Sequence, residues 1–186
     1  MQMIDGKMVS PRRFVFAAAL ALVLCAVCVG GVSGADGWDG TADTSWYNSN
    51  ENTFTITTAE QLAGLASLVN NSIADFSGKR VILGNNIVLN PNLEWGSIGT
   101  EKRPFAGTFD GMGYTISGLY QYLNEENEVG GLFGVVSGTI SYVTLAESKM
   151  TVIGKNITLG SIVGILNKGT VSLSAANSSP TGSPWA

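Results

Sequence analysis

Histidine is absent from this 186-residue chain, and cysteine occurs only twice, as Cys25 and Cys28. Both cysteines fall within an apolar N-terminal segment that has the pattern of a secretory signal. The chain that follows this segment therefore has neither a thiol nor an imidazole. This excludes disulfides, metal sites built from Cys or His, and Ser–His or Cys–His nucleophile pairs within the mature chain.

The chain also lacks any basic run downstream of that segment. Residues 36–186 contain 13 acidic and 7 basic side chains, a net charge of −6. A protein that binds the phosphate backbone of nucleic acid concentrates Lys and Arg on one face. We therefore expect no nucleic-acid partner.

The N-terminal residues 1–35 are interpreted as a signal peptide that forms a helix before cleavage. An unbroken apolar run, Phe14–Val29, is followed by small residues that favour cleavage after Ala35. The alternative is an uncleaved N-terminal anchor, because the apolar stretch approaches the length needed to cross a bilayer. Either interpretation predicts a secreted or cell-surface protein that meets the membrane only through this segment. The basic residues that precede the run are Lys7, Arg12 and Arg13.

Residues 36–57 are polar and predict an extended lead-in to the folded part. Three aromatic residues, Trp38, Trp46 and Tyr47, interrupt this polar composition. We expect them to pack on the first coil of the fold, with an exposed platform for stacking carbohydrate as the alternative. Phe54–Thr57 is a candidate for a first short strand.

Residues 58–71 predict the one helix of the mature chain. Thr58 is placed to cap it, with Gln61 three residues later in the spacing of a capping box. The sequence Asn70–Asn71 suits a left-handed stop. We expect this helix to cover the open end of a stack of strands. Its apolar face, in helical spacing, consists of Leu62, Leu65, Ala66 and Val69.

Residues 81–174 alternate short apolar strands with turns rich in Gly, Asn, Asp and Ser. The segment Gly131–Ile140 resembles Gly160–Val171, and Gly134 precedes Gly164 by 30 positions while Gly138 precedes Gly169 by 31. A repeat of this length made of short strands predicts an all-β, parallel β-solenoid, and its second copy carries one extra residue. Each coil then needs a neighbour to bury its apolar side chains. The predicted structural turn residues are Asp110, Gly111, Gly134 and Gly164.

Residues 175–186 are polar and interrupted by proline, which predicts a disordered tail. The coils would then stop after a few turns without a second cap, although solenoids usually need one. Association through that end, or descent from a larger protein by shortening, would account for this pattern.

Several of these segments, in the same order, resemble the N-terminal part of bacterial and archaeal surface proteins that carry the GLUG motif, including adhesin-like proteins. The resemblance implies a short right-handed parallel β-helix of pectin-lyase-like shape on an exported surface protein, and it implies no reaction. The related IgA-specific metalloendopeptidases use a His-Glu-x-x-His zinc site, which a chain without histidine cannot form. The segments that carry the resemblance are Trp38–Tyr47, Ile56–Leu65, Trp95–Gly99, Phe105–Leu119 and Gly131–Gly134.

A few polar positions are candidates for chemistry. Asp110 is expected to cap a turn through its own backbone. The acidic loop around Glu125, Glu126 and Glu128 is interpreted as solvated, with calcium binding as the alternative. The basic turn Lys102-Arg103-Pro104 is interpreted as a solvated loop, with contact to an anionic surface as the alternative. Acceptor patterns for N-glycosylation occur at Asn70, Asn156 and Asn177.

The sequence therefore predicts a non-catalytic extracellular β-helix module with an adhesin-like binding or scaffold role, and with carbohydrate or another surface protein as its partner. No cofactor and no metal are predicted. One alternative is a carbohydrate-active enzyme, which would require acidic residues to converge in a groove. Another is a truncated remnant of a larger surface protein. The acids considered for the enzyme are Glu94, Glu101, Asp110 and Glu147.

Overall fold

The computed structural model of the chain describes residues 37–172 and 174–180. The predicted signal peptide with its cleavage after Ala35, and residues 181–186 of the predicted tail, lie outside the described residues. Within them the chain forms a parallel β-solenoid of about four turns with one helix. The elements are β1 Thr53–Ile56, α1 Ala59–Asn70, β2 Arg80–Leu83, β3 Ile87–Val88, β4 Thr108–Asp110, β5 Thr115–Ser117, β6 Tyr120–Leu123, β7 Val129–Gly130, β8 Phe133–Val136, β9 Thr139–Ser141, β10 Thr144–Val152, β11 Thr158–Leu159, β12 Val163–Leu166, β13 Thr170–Ser172 and β14 Ala175–Pro180.

The strands stack into faces that run along the solenoid, and every pairing between named strands is parallel. One face has the order β1-β2-β4-β9-β13, and a second has the order β14-β10-β5-β3, with β6 also beside β10. We number the coils by their strand in the first face, so that β1 opens the first coil, β2 the second, β4 the third and β9 the fourth. Two short sheets, β11-β7 and β12-β8, form the rest of the wall. The predicted parallel β-solenoid is confirmed.

The predicted repeat is confirmed in its register. Val163 pairs with Phe133, and Thr170 pairs with Thr139, so the two copies occupy neighbouring coils. The extra residue of the second copy falls between β12 and β13, where Lys168 adopts a positive φ of 63°. A turn between strands absorbs an insertion without shifting either strand, because only the strands take part in the ladder.

The helix begins and ends where its sequence predicts. Thr58 is the N-cap and accepts a hydrogen bond from the N–H of Gln61 at 3.3 Å, while the Gln61 side chain accepts from the N–H of Thr57 at 2.9 Å. The predicted left-handed stop at Asn71 is wrong, since Asn71 has a φ of −94° and the next residue, Ser72, takes the positive φ of 60°. The Asn70 side chain donates to Ser97 O at 3.0 Å, which joins the end of α1 to the second coil.

Two of the three lead-in aromatics pack on the first coil, as predicted, and the third packs on the second coil. Trp38 is buried and meets Trp95 edge-on at 5.5 Å between ring centroids. Trp46 and Tyr47 contact Phe54 of β1, at 5.4 and 5.5 Å between centroids. The first strand therefore lies inside the segment that was predicted as an extended lead-in, and the coils begin before residue 81.

The prediction of a disordered tail from residue 175 is wrong for its first six residues. Ala175–Pro180 forms β14, which pairs in parallel with β10 from Thr144 to Met150 with one shift in register. The exposed edge of β10 offers backbone donors and acceptors to any extended segment, whatever its side chains. Composition alone does not reveal such an edge, so the polar sequence was misleading.

Candidate functional site

A groove on the flank of the solenoid arises because two neighbouring coils differ in length. Glu94 of the second coil pairs with Tyr120 of the third, and Ile98 pairs with Phe133. Between these two pairings the second coil advances 4 residues and the third advances 13. The extra residues of the third coil include β6 and β7, which project beyond the coil before them. This overhang forms one wall of the groove.

The other wall is a loop of the second coil. Thr100 and Arg103 form an antiparallel bridge, with backbone hydrogen bonds of 2.9 and 3.0 Å that close a tight turn. The loop interrupts the second coil between Ile98 and Phe105, whose partners Phe133 and Val136 lie much closer together in sequence. The two backbone hydrogen bonds between Thr100 and Arg103 hold this loop in place beside the overhang.

The groove has a volume of about 700 Å³. Its charged side chains come from three separate segments: Glu94, Glu101 with Lys102, and Glu128. Three carboxylates beside one ammonium give the groove a net negative charge. The neutral lining residues are Asn70, Trp95, Gly96, Ser97, Gly99, Thr100, Gln121, Leu123, Asn127 and Val129.

The floor of the groove is a buried polar network centred on Gln121, whose residue exposure is only 2%. Its amide nitrogen donates to Trp95 O at 3.0 Å and to Ser97 Oγ at 2.8 Å, and its amide oxygen accepts from Gly131 N at 2.8 Å. The indole N–H of Trp95 donates to Leu132 O at 3.1 Å. Since a fully satisfied buried network rigidifies its surroundings, the floor of the groove is preorganised.

Two of the three carboxylates are held by backbone N–H groups. Glu128 accepts from the N–H of Glu125 at 2.8 Å, and Glu94 accepts from the N–H of Tyr122 at 3.4 Å. Glu101 is exposed on the loop wall. Carboxylates fixed in a groove accept hydrogen bonds from the hydroxyl groups of a ligand, and side-chain amide N–H groups donate to its hydroxyl oxygens, as in binding sites for polar small molecules.

Of the four acids considered for an enzyme, the structure brings together two. Glu94 and Glu101 line the groove, whereas Asp110 and Glu147 lie elsewhere. Glu128 also lines the groove, although no sequence pattern groups it with Glu94, which lies 34 positions earlier. The signal that could have revealed this grouping is the difference in coil length, which requires the strand register to be known.

Asp110 caps a turn, as predicted. Its Oδ1 accepts from Met112 N at 2.9 Å, and Met112 adopts a positive φ of 52°. Its second role was not predicted: Oδ2 forms an ion pair with Arg80 at 2.6 Å, which joins two neighbouring coils. Asp110 is therefore a structural residue of the stack.

Two of the three predicted turn glycines lie in strands. Gly134 and Gly164 lie within β8 and β12, where an added Cβ would come within 2.5 Å of Gly99 O and 2.6 Å of Gly130 O. The prediction that they form turns is wrong. Gly111 follows β4 and does lie in a turn, since its carbonyl accepts from Tyr114 N at 2.8 Å. A Cβ there would collide with the backbone of Tyr142 in the next coil. All three allow coils to approach closely.

The predicted glycosylation acceptors have different surroundings. The Asn70 amide is occupied at both ends, because its oxygen also accepts from Gly99 N at 2.9 Å. Asn156 is exposed, with a φ of 57° and a hydrogen bond of 3.2 Å to Glu126. Asn177 lies in β14. Glycosylation itself stays a prediction.

Within the described residues, no group of three or more Asp, Glu, His or Cys side chains is arranged to hold a metal ion. The described part of the chain likewise contains no helix with the length and hydropathy needed to cross a membrane. Comparisons with protein-family models, with curated proteins and with solved structures found no match.

Proposed function

We propose that this protein is a non-catalytic, secreted or cell-surface β-helix module that binds carbohydrate in the groove between its second and third coils. The observation that carries the proposal is the groove itself, in which carboxylate and amide groups from separate segments face one space of about 700 Å³. The resemblance of the sequence to GLUG-motif surface proteins, and the signal-like residues 1–35, support an extracellular, adhesin-like role.

Saccharides suit this groove because their hydroxyl groups donate to carboxylates and also accept from amides. Glu101 and Glu128 offer acceptors on opposite walls, and Asn127 offers an amide beside them. The rigid floor around Gln121 reduces the entropy that binding would otherwise cost. The net negative charge of the lining favours a neutral sugar over an acidic one.

Binding is favoured over catalysis by how the carboxylates are held. Glu94 and Glu128 each accept a backbone N–H, which fixes them as parts of the groove walls. A rigid set of acceptors recognises the shape and hydroxyl pattern of a ligand and needs no bond to be broken. The proposed role therefore depends on the arrangement of several groups.

The test is a glycan array probed with the purified protein, followed by affinity measurements on the sugars that bind. Glu101→Gln and Glu128→Gln should each weaken binding about tenfold, because a hydrogen bond to a charged group is replaced by one to a neutral group. Glu147→Gln is the matched control, since Glu147 is exposed outside the groove. The proposal fails if a folded sample binds no neutral glycan, or if the control loses as much affinity as the groove variants.

A second candidate is a carbohydrate-active enzyme, favoured by one observation: Glu94, Glu101 and Glu128 share the same groove. Glycoside hydrolysis uses two carboxyl groups at a defined separation on either side of the bond. Release of reducing ends from a bound glycan, abolished by Glu101→Gln and retained by Glu147→Gln, would select this function. Binding without any product would select the module.

A further inference from the structure

A second cleft lies on the other side of the loop that walls the groove. It has a volume of about 620 Å³, and its charged lining is mostly basic: Lys79, Lys102 and Arg103, with Asp75 as the acid. Lys102 lines both spaces. The loop that begins at Thr100 therefore separates an acidic groove from a basic cleft.

The cleft has more basic than acidic side chains, although the chain as a whole is acidic. Residues 36–186 carry 7 basic side chains against 13 acidic ones, and three of the seven meet here. Among the described residues, Arg80 and Asp110 form the one ion pair. None of the three cleft cations therefore has a carboxylate oxygen of the described residues within 4.0 Å. Their charge is therefore available to a ligand.

Two of the three cations are fixed in position. Lys79 Nζ donates to the backbone oxygens of Ser49 at 2.9 Å and Glu51 at 2.5 Å, and it lies 5.8 Å from the centre of the Phe54 ring. Arg103 Nη1 donates to Asn70 O at 2.5 Å, at the end of α1.

These bonds leave further donors on both groups, because an ammonium has three N–H bonds and a guanidinium has five. Bonds to neutral carbonyls orient the cations without cancelling their charge. The carboxylate of Asp75, the acid of the cleft, accepts a hydrogen bond from the N–H of Ser77 at 2.9 Å and pairs with none of the three cations.

We propose that this basic cleft binds the carboxylate or sulfate group of an acidic saccharide. Beside its cations the cleft is lined by the half-buried ring of Tyr47, which can accept an apolar sugar face next to the anionic group. A nucleic acid would lay a continuous line of phosphates along the protein, and the acidic remainder of the chain would repel it. A membrane surface would need a flat basic patch, whereas these cations line a concave space.

The inference is independent of the proposed binding of neutral sugars in the groove. The probes are polygalacturonate oligomers for the carboxylate, sulfated dextran for the sulfate, and plain dextran as the neutral reference, with duplex DNA as a further arm. We expect one or both acidic saccharides to bind, and we expect plain dextran not to displace them, since a neutral sugar held in the groove leaves the cleft free. Binding should weaken as salt rises, because partly exposed charges are screened.

Lys102→Gln is the informative variant, since Lys102 is exposed and lies on the loop between the two spaces. It should weaken binding of the acidic saccharide about fivefold, the effect of losing one partly exposed charge pair. Lys155→Gln is the matched control, because it removes the same charge from an exposed site outside the cleft. Glu101→Gln should leave anion binding unchanged or stronger, which separates this site from the groove.

Three results would overturn the inference. Equal losses for Lys102→Gln and Lys155→Gln would show general charge attraction. Tighter binding of duplex DNA than of either saccharide would assign the cleft to phosphate. Absence of binding by protein whose circular dichroism spectrum shows intact β structure would leave the cleft without the proposed ligand.

Discussion

The two ends of the solenoid bury the same column of apolar residues to very different degrees. Phe54 at the first strand is 5% exposed, Val81, Phe109 and Ile140 inside the stack are each 0% exposed, and Val171 in the last strand of that face is 39% exposed. Val81 and Val171 are the same residue type at equivalent ladder positions. Since the residue type is the same, the difference in burial arises from the neighbouring coil, which covers Val81 and does not cover Val171.

The first end has such a layer although no strand precedes it in the described residues. Trp46 and Tyr47 cover Phe54, and Phe76 completes the cluster at 5.8 Å from the Phe54 ring. The helix supplies the rest, since Asn70 bonds to the second coil where an earlier strand would otherwise pair. Beyond β13, by contrast, the described residues place no strand on that face.

The largest expected effect comes from breaking the spacing between interior coils. Gly138→Ala places a Cβ against Gly107 O and within 2.6 Å of the Ala106 carbonyl carbon, so two backbones must separate. We expect a loss of about 3 kcal/mol in the free energy of unfolding, as for an overpacked core. Denaturant unfolding followed by circular dichroism measures this loss.

Gly96→Ala is the control for that substitution. A Cβ at Gly96 meets no atom within 4 Å, and the residue is not in the left-handed region. Its stability should match the unmodified protein within about 0.5 kcal/mol. Equal losses for the two variants would contradict the account of glycine as a spacer between coils.

The comparison of the two ends is tested directly by truncating the two equivalent valines. Val81→Ala leaves a cavity in a closed layer and should cost about 2 kcal/mol. Val171→Ala removes atoms that already contact solvent and should cost less than about 1 kcal/mol. Denaturation midpoints of the two variants provide the measurement, and a larger loss at Val171 would show that another layer covers it in solution.

Much of the fold was predictable because the signals were local or periodic. Capping by Thr58 and Gln61 fixed the start of α1, and the spacing from Gly134 to Gly164 gave the coil length. β14 was not predictable, because its polar residues owe their strand to the edge of β10. Local sequence carries no information about an edge formed elsewhere.

The candidate site was less predictable than the fold. Glu94 and Glu128 share the groove because one coil is shorter than the next, and Lys79 shares the basic cleft with Arg103, 24 positions later in the sequence. Neither grouping follows from spacing in a single chain without the register. Asp110 could be assigned to its turn because an Asx turn depends only on neighbouring residues.

The smallest expected effect is a loss of stability at low pH, which we expect to be greater at the first end of the solenoid than at the last. The hydroxyl and N–H of Thr41 lower the pKa of Asp39, and the hydroxyl and N–H of Ser45 lower the pKa of Asp43. Because the pKa of each carboxyl is lower in the folded state than its ordinary value of 3.8, the stability that the two carboxylates contribute is fully present above that pH. It is lost as pH falls through the lowered pKa. Both residues lie in the lead-in that covers the first coil, whereas no Asp or Glu follows Glu147.

Acid should therefore loosen the covered end first. Intrinsic fluorescence should report this loosening through Trp38 and Trp46 before circular dichroism reports loss of the strands, because both indoles belong to the lead-in and pack on the coils that it covers. Asp39→Asn keeps an oxygen acceptor for Thr41 but has no charge to titrate, so it should flatten part of the acid dependence of the fluorescence. Simultaneous loss of both signals, with the same pH profile in the variant, would show that the cover of the first coil and the coils behind it unfold as one unit.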